Sequence, residues 1–262
     1  MTNTSTTMHN IDIPAKRSLG QNFLINEGVL DRIVEAADIT PSDTILEVGP
    51  GKGALTQRLA KTGARIIAIE KDRRLIAPLR ALFAAHPTVT IEEGDILGLE
   101  LSSWNLAAGS YKVVANIPYY LTGQLFRRML ELWPSPSRAI LMVQREVADR
   151  LLATPPNMNL LALSVRLFAE PSIVMQVSRG SFRPIPEVDS TVVRLDIRNT
   201  DEATRRMNAA VLTLAKKAFG QKRKQLTATI PLETLLQAGI APTVRPQELS
   251  VEDWLRIAST VQ

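Results

Sequence analysis

Along the chain, apolar positions alternate between short unbroken runs and longer stretches in which they return every third or fourth residue. Residues 27–37 show the helical rhythm, with Val29, Leu30, Ile33, Val34 and Ala37 on one side. Pro41-Ser42-Asp43 breaks it, and residues 44–48 predict a buried strand. A helix to residue 61 follows, with Gly63 placed as its C-terminal stop. Residues 65–69 predict a second strand, 72–84 a helix that Pro78 shortens or bends, 88–92 a third strand and 111–115 a fourth. Helix 122–133, strand 139–144 and helix 146–153 continue the alternation. Such alternation specifies the α/β class: a mostly parallel sheet covered on both faces, with ligands at the carboxyl ends of its strands.

Beyond the loop Pro155-Pro156-Asn157 the rhythm is ambiguous, and residues 160–168 fit a helix or a strand. The β-rich runs 173–177 and 191–197 flank SFRPIPEVDS, whose two prolines hold it extended, so an antiparallel hairpin on the sheet edge is expected. Residues 203–232 carry seven basic side chains and no acidic one, while Val211, Leu214, Ala215, Ala218 and Phe219 share one helix face. Gly220-Gln221 interrupts that helix before Lys222-Arg223-Lys224, which places the second basic cluster at an exposed corner. Short helices are expected around 233–238 and 251–259. The resulting division is a disordered tail at 1–15, an α/β domain at 16–198 and a small all-helical domain with a basic side at 199–262.

Composition narrows the chemistry. The 262 residues carry a formal charge of +5, which suits a polyanionic partner without distinguishing nucleic acid from anionic lipid. There is no cysteine, and the two histidines fall in the polar tail (His9) and before Pro87 (His86). Disulfides, thiolate chemistry, a Ser-His-Asp triad and a histidine-built metal site are therefore not expected. No apolar run reaches the roughly 18 residues of a membrane span, and the first ten residues lack a targeting pattern, so a cytoplasmic protein is expected.

The chain is organised around ILEVGPGKG at residues 45–53. A strand ends there in Glu47 and Val48, then Gly49, Gly51 and Gly53 leave bare backbone before a helix start. The pattern E-x-G-x-G-x-G differs from the dinucleotide turn G-x-G-x-x-G, and a carboxylate at Glu47 would repel a pyrophosphate but favour a cationic ligand. That points to S-adenosylmethionine rather than NAD. Glu70 ends the second strand close to the ~20-residue offset at which an acid meets a ribose. Glu47, Glu70, Asp95 and Asn116 all fall at predicted strand ends, where one crevice holds them. Asn116-Ile117-Pro118-Tyr119 suits methyl transfer to an exocyclic amine: the Asn116 amide oxygen and the Pro118 carbonyl accept hydrogen bonds from the amine, and the Tyr119 ring stacks on a flipped-out base.

With LGQNFL, EVGPGKG, GDIL, NIPYY, VQREVADRL, FRPIPEVDS, FGQKRKQL and RPQELSVEDW, the chain resembles the ribosomal RNA adenine N6,N6-dimethyltransferases, within them the bacterial KsgA type, from about residue 16 onward. The resemblance implies a Rossmann-like methyltransferase domain that transfers methyl groups to N6 of two adjacent adenosines near the 3′ end of 16S rRNA, four donors in all. It implies that Gln21 and Asn22 meet the methionine end of the donor, Gly49 and Gly51 lie beneath it, Glu70 binds the ribose and Asp95 the adenine amine. Leu24, Glu47, Lys71, Ile96 and Asn116 complete the donor set, and S-adenosylhomocysteine is the product. Asn116, Pro118, Tyr119 and Phe182 hold the target base, the last as a second stacking surface. Lys16, Arg17, Arg145, Lys216, Lys217, Lys222, Arg223 and Lys224 meet RNA of the small ribosomal subunit, and the protein is expected to be monomeric and metal-free. Leu160-Leu161 stands where many relatives carry Tyr-Gly. Three other readings are a large-subunit adenine methyltransferase of the macrolide-resistance type, a ribosome-assembly factor with little need of catalysis, and an NAD oxidoreductase, which Glu47 and the glycine spacing disfavour.

Overall fold

A computed structural model describes residues 11–117 and 121–261. Its main sheet contains seven strands in the order β4-β3-β2-β5-β6-β9-β7. β2 (Thr44–Val48), β3 (Arg65–Glu70), β4 (Val89–Glu93), β5 (Tyr111–Asn116) and β6 (Arg138–Gln144) run parallel, while β9 (Ser190–Ile197) is antiparallel to both its neighbours. β2, β3, β5 and β6 are largely apolar because both faces are covered, while the edge strand β4 keeps Thr90, Glu92 and Glu93. Ile67, Ile69, Val113 and Ala115 face one core, whereas Ile66, Ala68 and Val114 face the other. The second core is closed by α1 (Glu27–Ala37), α2 (Ala54–Ala60) and α3 (Arg73–Leu82).

The first core has α4 (Thr122–Arg127), α5 (Arg145–Leu152) and α6 (Leu160–Phe168) against it, and it continues unbroken into α7 (Glu202–Phe219), α8 (Leu232–Gln237) and α9 (Val251–Ser259). Val211, Leu212, Ala215, Leu235 and the fully buried Trp254 therefore belong to the same apolar cluster as the sheet. Residue 160 onward is helix: the Asn159 side chain accepts from Leu161 N and Ala162 N and so nucleates α6.

The antiparallel hairpin lies on the sheet edge as expected, with β7 (Ala169–Val177) outermost and β9 between it and β6. Two expectations need correction. The helix expected over 122–133 is α-helical only to Arg127 and then widens into a π-helical turn, Arg128–Leu132. Trp133 precedes Pro134, which disfavours a helical ψ, and Trp133 takes ψ 162°. Finally, residues 23–24, which precede the first helical rhythm and carry no predicted element, form β1 (Phe23–Leu24). This strand pairs antiparallel with β8 (Phe182–Arg183), so that FRPIPEVDS starts in a two-stranded ladder of its own.

Candidate active site

The parallel strands all end on one edge, and the chain reverses its order of strand addition between β2 and β5. Adjacent strand ends whose connections lead to opposite sides leave a crevice there. A cleft occupies this place. It is lined by Gln21, Asn22, Leu24, Glu47, Gly49, Gly51, Glu70, Lys71, Asp95, Ile96 and Asn116, the complete donor set expected, and by Phe182.

The floor is the turn after β2. Gly49 and Gly51 have φ of +73° and +58°, the left-handed region in which a side chain is strained. A Cβ on Gly49 would meet nothing within 4 Å, whereas one on Gly51 would approach the Phe23 ring at 3.0 Å. Bare backbone at Gly49 thus faces open cleft, and Gly51 lets the 20–24 segment close down on the turn. Lys52 Nζ stands 5.1 Å from the centroid of the same Phe23 ring.

Glu47 lies beneath the turn, 1% exposed, and neither carboxylate oxygen has a hydrogen-bond partner. Burial raises its pKa to about 8; the nearby Thr56 hydroxyl lowers it without meeting hydrogen-bond geometry, and the charge of Glu70 raises it further. An unpartnered buried acid bordering a cleft fits a cationic ligand group. Glu70 is also buried, with Oε2 accepting from Gly51 N at 3.0 Å and Oε1 from Asp72 N at 2.8 Å. Burial, the largest influence, raises its pKa in spite of those two donors. Each oxygen keeps a lone pair, which suits the two hydroxyls of a ribose.

Asp95 Oδ2 accepts from Lys71 Nζ at 2.7 Å and Oδ1 from Leu97 N at 3.1 Å; the Lys71 bond chiefly holds its pKa below the usual carboxylate value. Asn116, at the end of β5, donates from Nδ2 to Asn22 O at 3.3 Å. Gln21 reaches the Asp72 carboxylate rather than standing free. Phe182 borders the cleft but is 2% exposed and paired with Leu24, so its ring is packed into the wall. Pro118 and Tyr119 lie outside the described residues. Phe23 and Lys52 stand inside the motifs LGQNFL and EVGPGKG with no role of their own assigned, and Asp72 lies outside every quoted motif, two residues after Glu70.

The basic residues are spread. Lys16 and Arg17 are exposed on the segment leading to the cleft. Arg145 lines a separate depression with Arg179, Glu146, Asp149, Glu187 and Asp189. Lys216 and Lys217 end α7, and Lys222, Arg223 and Lys224 are exposed in the turn after it; Lys216 also pairs with Glu131 at 3.6 Å. Among the described residues no group of three or more His, Asp or Glu is disposed to hold a metal, and no helix is long and apolar enough to cross a membrane.

Comparison with known proteins matches this geometry to a family. Among curated relatives, "Ribosomal RNA small subunit methyltransferase A" of Dehalococcoides mccartyi is 40% identical over 94% of this chain and 88% of its own. The protein of that name from Synechococcus sp. is 42% identical over 93% and 94%. Two solved structures share the architecture: a dimethyladenosine transferase from Plasmodium falciparum (28% identity, TM-score 0.76, 90% of this chain and 95% of that one) and the 23S rRNA methyltransferase ErmE (27%, 0.73, 91% and 99%). The family described as ribosomal RNA adenine dimethylase matches residues 13–262, and the chain belongs to that family.

Proposed function

We propose that this enzyme transfers methyl groups from S-adenosylmethionine to N6 of two adjacent adenosines near the 3′ end of small-subunit rRNA. The observation that carries the reading is the shared cleft: an unpartnered buried carboxylate and a glycine cradle suited to a sulfonium nucleoside border the same space as Asn116, an acceptor suited to an exocyclic amine. Relatives at 35–42% identity are named for the small subunit, which favours that target over the large subunit named for ErmE.

The donor supplies an electrophilic methyl group. The chain supplies position. Glu47 and the Gly49–Gly51 backbone hold the methionine end, Glu70 the ribose and Asp95 the adenine amine, with Gln21, Asn22, Leu24, Lys71 and Ile96 closing the cleft. Asn116 Oδ1 accepts from the target N6–H, which turns the nitrogen lone pair toward the methyl carbon; the Pro118 carbonyl and the Tyr119 ring serve the same base. No general base is required, because the methylated nitrogen is acidic enough to lose its proton to water. Phe182 contributes as a wall and, after a rearrangement that frees its ring, as a stacking surface. Residues 199–262 form the ribosome-binding part, the protein acts as a monomer, and the setting is the cytoplasm, where small subunits are assembled.

Incubation of labelled S-adenosylmethionine with unmethylated small subunits, followed by mass spectrometry of the modified bases, tests the assignment. Two neighbouring dimethyladenosines are expected. Labelling of free large-subunit RNA instead would favour the other target.

A further inference from the structure

Asp72 belongs to none of the expected contacts, yet its carboxylate accepts four hydrogen bonds beside the cleft. It is 4% exposed and caps α3 by accepting from Arg74 N. Its carboxylate also takes Arg74 Nε at 2.9 Å, an Arg74 Nη at 2.6 Å and Gln21 Nε2 at 2.9 Å, while its own N–H donates to Glu70. The other end of the Gln21 amide, Oε1, accepts from Lys16 N at 2.7 Å. A carboxylate only accepts and a backbone N–H only donates, so the amide has one permitted orientation. Gln21 is a strut between the N-terminal segment and the base of α3.

That segment continues as Asn22 and Phe23. The Asn22 carbonyl accepts from Asn116 Nδ2, and Phe23 lies against Gly51. An acceptor on the strap commits the Asn116 NH2 group to it and leaves Oδ1 for the substrate amine. A displaced strap would free Asn116 to turn its donor toward the base, which is the wrong polarity.

We propose that Asp72 is a positioning residue: through Gln21 it fixes the 20–24 strap over the donor cleft, and through the strap it orients the Asn116 amide toward the target amine. The proposal rests on the donor and acceptor roles given above. It differs from a plain capping role in what it predicts for Asp72→Asn. Asparagine caps a helix as well as aspartate does, but it presents an NH2 group to the Gln21 NH2 group.

The test uses the full chain, S-adenosylhomocysteine as the binding probe and unmethylated small subunits as substrate. Asp72→Asn and Gln21→Glu are each expected to weaken binding and to lower kcat, both about 10-fold, as fits loss of one hydrogen bond to a charged group. The double variant Gln21→Glu/Asp72→Asn restores the polarity, since the new carboxylate accepts from both Lys16 N and the new amide, and is expected to recover to within about 3-fold of wild type. Arg74→Ala removes the ion pair from its exposed end and should leave kcat unchanged. Should Asp72→Asn fail to fold, Gln21→Glu tests the strut from its accessible side. Asp72→Asn and Gln21→Glu equal to wild type, or both folded and recovering nothing in combination, overturn the proposal. A wild-type chain that does not bind the probe overturns the donor reading itself.

Discussion

At the scale of single residues the cleft is set by Glu47, whose carboxyl is unusual in being both buried and unpartnered. A carboxyl whose folded pKa, about 8, lies above its unfolded value favours the native state when protonated. Its stabilising contribution is complete below the unfolded value and is lost as pH rises toward 8. Glu47→Gln should therefore raise the thermal midpoint at pH 8 and change it little at pH 5, which calorimetry at the two values would show. A cationic donor reverses the preference, because it binds best to the ionised form. Binding should strengthen as pH rises toward 8 and should release protons near neutrality. Titration calorimetry in buffers of different ionisation enthalpy measures that release; it should disappear in Glu47→Gln, and persistence there would remove Glu47 from the role. Asn116 belongs to the other half of the site. Asn116→Ala should lower kcat at least about 100-fold, as expected when an orienting hydrogen bond is removed, while S-adenosylhomocysteine affinity falls only about 5-fold, the cost of the one neutral hydrogen bond that ties Asn116 to the Asn22 strap.

At the scale of elements, the turn between β2 and α2 separates strain from occupancy. Gly49→Ala and Gly51→Ala both force a side chain into the left-handed region, at about 1–2 kcal/mol each. The Gly51 substitution also presses on Phe23, so it should lower the thermal midpoint further. The Gly49 methyl meets only cleft, so its main effect should be on donor binding; equal donor affinity in Gly49→Ala and wild type would show that the ligand does not lie against this backbone. This turn was legible because glycine spacing reports backbone conformation directly, and the parallel strands were legible because unbroken apolar runs such as Ile66 to Ile69 have no polar face to hide. Other elements were not. The ladder of β1 and β8 is two residues long, too short for any period, and depends on partners about 160 residues apart. Glu170-Pro171-Ser172 conceals the first half of β7 behind polar and proline signals. The insertion of β9 between β6 and β7 is a choice of tertiary pairing that neither strand encodes. The residues that line the cleft were readable as motifs. The hydrogen bonds of Gln21 to Asp72 and Asn22 to Asn116 were not, since they depend on how the strap lies across the sheet edge.

At the scale of the whole molecule, charge is sorted by place. The cleft lining sets Glu47, Glu70 and Asp95 beside Lys52 and Lys71, with Asp72 paired to Arg74 at its base, while the positive charge is densest outside it, from Lys216 to Lys224. An RNA backbone is therefore drawn to the exterior rather than into the cleft, so that a base, not a phosphate, is the part of the polyanion suited to enter. The corner at Lys222, Arg223 and Lys224 follows α7, whose Val211 and Ala215 are anchored in the same apolar cluster as the sheet. A phosphate held there is thus held at a fixed reach from the cleft. Replacing the three by alanine should leave S-adenosylhomocysteine binding and thermal stability unchanged, because all three are exposed and none packs into the core. Affinity for unmethylated small subunits should fall, and the slope of log affinity against log salt should become shallower by about 2 to 3, near one for each phosphate no longer neutralised. KM for subunits should then rise steeply at low salt and converge on wild type as salt increases, with kcat preserved at saturation. A weaker affinity with an unchanged slope would mean that the corner binds something other than phosphate. A lowered kcat would mean that it also governs how the base is presented to Asn116.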